Sequence, residues 1–105
     1  MNENKEDVII VEPFVIIFKK PYKFDGMEYT QIDLSGLENL TAKDLADADK
    51  MFTTQGNVAV MNEMTSAYAY IIASKASGRP YEFVLGLPVK EAMKVKSMVT
   101  DFLYN

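Results

Sequence analysis

Two kinds of hydrophobic spacing divide the chain. From residue 8 to residue 34 the apolar positions are β-branched or aromatic and come in short runs, which predicts strands. From residue 41 onward they recur at three- and four-residue intervals, which predicts helices. Val8-Ile9-Ile10-Val11 and Phe14-Val15-Ile16-Ile17-Phe18 read as extended segments separated by Glu12-Pro13. Pro13 has no N–H to give to a ladder, so it marks an edge or a break. Asp25-Gly26 is the dipeptide that a two-residue type I′ turn requires, because both central residues need positive φ. That turn sets Phe24 opposite Met27, Lys23 opposite Glu28 and Tyr22 opposite Tyr29, with aromatic rings on one face and an opposite-charge pair on the other. Beyond Tyr29 the apolar parity switches to Ile32 and Leu34, which predicts a bulge, a twist or burial on both faces.

Thr41-Ala42-Lys43-Asp44 resembles a capping box and predicts the start of a first helix. Asp44 and Asp47 early and Lys50 late suit the helix dipole, and Leu45, Ala48 and Phe52 share one face. A break at 53–57 precedes a second helix, predicted from Val58 to Ala76 with Gly78 as its C-terminal glycine. Val60, Met64, Ala67 and Ile71 form its apolar stripe. A second stripe of Ala59, Asn62, Ser66, Ala69 and Ala73 holds only short side chains. Together with Met61 it is the candidate protein-binding face, by close approach of a client helix or a second copy. Packing of the chain's own helices there is the intramolecular alternative. Arg79-Pro80 ends the helix, Tyr81 to Leu85 reads as an apolar connector, and Pro88 suits the first turn of a third helix up to Leu103. Its polar face is Lys90, Lys94, Ser97 and Asp101, and its apolar side is Ala92, Val95, Val99, Phe102 and Leu103. Residues 1–7 read as a disordered tail and 8–105 as one domain. The expected fold is α+β, an N-terminal β-hairpin region followed by a three-helix bundle.

Composition narrows the chemistry. The 105 residues contain no cysteine, histidine or tryptophan, which removes thiol nucleophiles, thiolate metal sites and the commonest general base and transition-metal ligand. No phosphate-binding, dinucleotide-binding or zinc-protease motif occurs. Without histidine, Ser35-Gly36 and Ser77-Gly78 cannot form the usual serine-hydrolase triad. Asp44, Asp47 and Asp49 form the one dense acidic cluster, but they lack the loop spacing of a calcium site and read as a solvated helix face. The reading is a non-enzyme with no catalytic residue, cofactor or metal. A net charge of −4 with a single arginine, Arg79, disfavours nucleic acid as a partner. The acidic, polar N-terminus is unlike a signal peptide, and the run from Val8 to Phe18 is too short to span a bilayer. A cytoplasmic location follows as the expectation. Beyond Met1 there are six methionines, Met27, Met51, Met61, Met64, Met93 and Met98. They are either core filler or an adaptable binding surface.

The segments Lys20-Pro21-Tyr22-Lys23-Phe24-Asp25-Gly26-Met27-Glu28-Tyr29 and Ile32-Asp33-Leu34-Ser35-Gly36-Leu37-Glu38-Asn39-Leu40-Thr41 are followed by Asp44-Leu45. Ala73, Gly78, Leu87-Pro88 and Val99-Thr100-Asp101-Phe102-Leu103 follow in order. In this arrangement, over about residues 14–103, the chain resembles the small tail assembly chaperones of contractile-tailed phages and prophages. The resemblance implies a protein that binds the tail tape measure protein in the bacterial host cytoplasm, keeps it soluble while the tail tube assembles, and is absent from the mature virion. The tail tube protein, a frameshifted longer form of the chain itself and a homo-oligomer are further implied partners. A structural component retained in the tail and a small non-enzymatic adaptor are the competing roles.

Overall fold

The computed structural model describes residues 13–56 and 65–104. The expected strand at Val8–Val11, the tail at 1–7, and Ala59, Met61 and Asn62 of the candidate face lie outside them. The described chain is α+β: an antiparallel hairpin, β1 (Val15–Phe24) and β2 (Met27–Asp33), then a 3-10 turn (Ser35–Asn39), then α1 (Ala42–Thr54), α2 (Ser66–Ser77), α3 (Tyr81–Leu85) and α4 (Val89–Tyr104).

The hairpin follows its turn chemistry. Asp25 has φ +52° and Gly26 φ +81°, and Phe24–Met27, Lys23–Glu28 and Tyr22–Tyr29 stand opposite each other in the register that the turn dictates, although the Lys23 ammonium and the Glu28 carboxylate do not close to ion-pair distance. The parity switch is a bulge: between the pairs Tyr22–Tyr29 and Ile17–Gln31, residues Phe18 to Pro21 of β1 lie opposite Thr30 alone. An odd number of extra residues turns the strand over, which buries Ile16 and Ile32 beyond the bulge and Phe18 at its start. Pro21, which cannot donate to a ladder, falls inside the irregular stretch.

α1 begins at the full capping box. Thr41 Oγ1 accepts from the Asp44 N–H, and the Asp44 carboxylate accepts from the Thr41 N–H at 2.8 Å. The Thr41 N–H, together with the Thr41 hydroxyl, donates to the carboxylate and holds the Asp44 carboxyl below the usual carboxylate range.

Two corrections apply to the helical half. The helix predicted from Val58 begins at Ser66. Thr65 stands in an extended conformation and its side chain accepts from the Tyr68 N–H at 3.1 Å, so an N-cap interrupts the predicted span. The connector Tyr81–Leu85 is itself a short helix, which makes four α-helices among the described residues rather than the three of the expected bundle. A helical turn lets the adjacent Phe83 and Val84 both be fully buried, which a strand with one buried face would not allow.

α2 is the centre of the molecule, packed against α1, α3, α4 and the 3-10 turn. Tyr68, Ala69, Ile71, Ile72 and Ala73 are buried, and at 3.6 residues per turn they cover more than half of its circumference. Gly78 closes it at φ +74°, donating its N–H to Ser74.

Candidate functional site

The candidate face divides in the folded chain. Ser66, in the first turn of α2, is exposed, whereas Ala69 and Ala73 have no accessible surface. The small side chains allow the chain's own helices to approach α2 closely, the intramolecular use of such a stripe. Within the described residues this face offers a partner only Ser66.

Accessible apolar surface lies elsewhere. Among the described residues no methionine belongs to the buried core. Met27, Met51 and Met93 are exposed, and Met98 is half-buried. Met93 and Met98 line an open groove of about 630 Å³ along α4, bounded on its other side by Phe14. Two rows of side chains at four-residue spacing build it: Met93, Ser97 and Asp101 in one, Lys94, Met98 and Phe102 in the other. Such rows are the ridges that receive a second helix. Phe14 meets Phe102 edge to face, with centroids 5.8 Å apart, which fixes the groove's wall. Lys94 and Asp101 put opposite charges toward its two ends. Sequence reasoning had the polar row Lys94, Ser97 and Asp101 and placed Phe102 on the apolar side. It did not join them to Phe14, because that contact crosses the whole chain.

The hairpin is anchored to the helices by aromatic packing. Phe83 receives the edges or faces of Tyr22, Phe24 and Tyr29, at centroid distances of 5.0, 5.3 and 5.0 Å. The Tyr22 hydroxyl donates to the Phe83 carbonyl at 2.9 Å, and burial raises its pKa. Arg79 covers the cluster, its guanidinium carbon 4.6 Å from the Tyr29 centroid.

Glu91, which the sequence did not distinguish, is the buried charged side chain of the described residues, at 5 % exposure. One carboxylate oxygen accepts the Lys19 N–H at 2.9 Å. The other stands 3.3 Å from Lys94 Nζ, as an ion pair rather than an aligned hydrogen bond. The bulge in β1 turns the Lys19 N–H away from β2, and Glu91 satisfies it across the interface with α4. That backbone hydrogen bond, followed by the lysine charges, holds the Glu91 carboxyl below its ordinary value of 4.5, against the opposing effect of burial. A depressed carboxyl pKa contributes stability that is present above about 4.5 and lost as pH falls through the folded-state value. Glu91→Gln keeps an acceptor but loses the charge, and should cost about 1 kcal/mol at neutral pH. In denaturant titrations across pH, the wild type and Glu91→Gln should converge as pH drops below that value. A constant gap down to low pH would show that the charge contributes nothing.

The described residues hold no group of three or more acidic side chains placed to share a metal ion, and no helix among them is long and apolar enough to cross a membrane. Comparison with family models, curated proteins and solved structures finds no match.

Proposed function

We propose that this chain is a non-enzymatic protein-binding domain, a phage or prophage tail assembly chaperone that binds the tail tape measure protein and keeps it soluble in the host cytoplasm while the tail tube is built. The observation that carries the binding role is the placement of the methionines. Those in the described residues face outward or line a groove instead of filling the core, and flexible, polarizable side chains on a surface suit a client presenting varied apolar helices. The α4 groove has the form of a helix-in-groove site, with Met93, Met98, Phe102 and Phe14 as the apolar contacts. The choice of client rests on the resemblance of the segments from Lys20 to Leu45.

The test is co-expression with the tape measure protein of the same tail gene cluster. The wild type should keep that protein soluble and co-purify with it. Met93→Glu places a charge at a side chain that is 61 % exposed. It should leave the melting temperature within a few degrees and weaken binding by about tenfold, a loss of about 1.4 kcal/mol. No interaction by the wild type would refute the client. Equal binding by Met93→Glu would refute the groove. The chain's presence in purified particles by mass spectrometry would favour a retained tail component.

A further inference from the structure

A second surface has the opposite character to the rest of the chain. Where the β1 bulge meets the first turn of α4, a cleft of about 440 Å³ is lined by Lys19, Lys20, Lys23 and Lys90, with Pro21 and Val89 among its apolar walls. The bulge makes it: Phe18 to Pro21 have no strand residues of their own to pair with beyond Thr30, and the bond from the Lys19 N–H to Glu91 ties them to α4. The cleft's two walls are therefore fixed to each other by a part-buried hydrogen bond between a strand and a helix.

Charge marks it out. None of the four ammonium groups lies within ion-pair distance of a carboxylate among the described residues. Glu91, the one acid in the cleft, is engaged by the Lys19 N–H and by Lys94. The whole chain has 11 basic and 15 acidic residues. With these four lysines set aside, seven basic side chains face those fifteen acids. The cleft is a local positive site on an acidic protein, and it favours carboxylates over the rest of the surface.

The apolar part sets the kind of anion. Val89 is 73 % exposed between the lysines, beside prolines whose backbone cannot donate. No arginine lines the cleft. The Tyr22 ring is held edge-on by Phe18 and Phe83, and its hydroxyl is used by the Phe83 carbonyl. A nucleic-acid strand would find phosphate contacts but no free ring for base stacking. We propose that this cleft binds an extended acidic protein segment, its carboxylates on Lys19, Lys20, Lys23 and Lys90 and its intervening apolar side chains on Val89 and Pro21. The contact is separate from the α4 groove, so a partner could occupy both or either.

A fluorescently labelled decapeptide alternating glutamate with valine and proline is the probe, followed by anisotropy on the full chain. The peptide should bind, with affinity falling as salt rises. Lys20→Glu combined with Lys90→Glu changes exposed residues only. It should keep the wild-type melting curve and weaken binding by about tenfold or more. Val89→Ser should weaken it less, and Met93→Glu should leave it unchanged, which separates this site from the chaperone groove. The proposal is overturned by no peptide binding, by equal binding by the double variant, by equal binding of the same peptide with lysine for glutamate, or by tighter binding of a ten-nucleotide thymidine strand. Self-association of the wild type that the double variant abolishes would assign the cleft to a second copy instead, and would also overturn it.

Discussion

Ala69→Arg should abolish the folded state, and Ser66→Arg, three residues away on the same stripe, should leave it intact. Ala69 is fully buried in α2, the helix that α1, α3 and α4 all touch. An arginine there adds volume to a packed interior and brings in a charge with no partner. Overpacking alone costs about 1–3 kcal/mol. A buried unpaired charge adds several more. The sum reaches the whole stability of a domain this size, about 5–15 kcal/mol. Ser66 is exposed, and a substitution there should stay within about 0.5 kcal/mol. Circular dichroism and thermal melts of both variants decide the matter. If Ala69→Arg melts like the wild type, α2 is not covered on this face, and the small-residue stripe becomes a docking surface again.

The same stripe shows where periodicity stops being informative. Residues 58 to 73 have one continuous helical spacing, and nothing apolar interrupts it at Thr65. The interruption is a cap, and Thr65 lacks the acid three residues on that makes Thr41 recognisable, since Tyr68 stands there. Small side chains say that something approaches closely but not whose chain it belongs to. By contrast, Asp25-Gly26, Thr41 with Asp44, and Gly78 each carry their meaning in two or three adjacent residues, and all three act as their chemistry dictates. The parity switch after Tyr29 was also legible, because a change of face must be resolved by extra residues. Its consequence was not. Within the bulge the Lys19 N–H is satisfied by Glu91, which lies 72 residues away. The two surfaces argued above depend on such distant meetings: Phe14 with Phe102 for the groove, and the Lys19 N–H with Glu91 for the cleft.

Gly36→Ala should cost about 3 kcal/mol, the upper part of the range for overpacking, and lower the melting temperature by on the order of 15 °C. The reason is not backbone conformation. Gly36 does not have positive φ, unlike Gly26, Gly56 and Gly78. A Cβ at position 36 would run into the main-chain carbonyl of Ala76, in the last turn of α2. A side chain could rotate away, but a helix carbonyl moves only with its helix. Relief requires the 3-10 turn to lift off α2. That turn carries the buried Leu37 and follows the buried Leu34, whose N–H donates to the Phe14 carbonyl at 2.8 Å. Lifting it would pull at the base of the hairpin and at Phe14, the wall of the α4 groove. The variant should therefore lose the helix binding proposed for that groove along with stability, even at temperatures where it remains folded. Gly56→Ala is the control: φ is +86° there and open space surrounds the Cβ position, so the cost should be about 1 kcal/mol of backbone strain with binding retained. A Gly36→Ala protein that melts within about 2 °C of the wild type would mean that the turn does not rest on α2, and the route from the hairpin to the groove would fail with it.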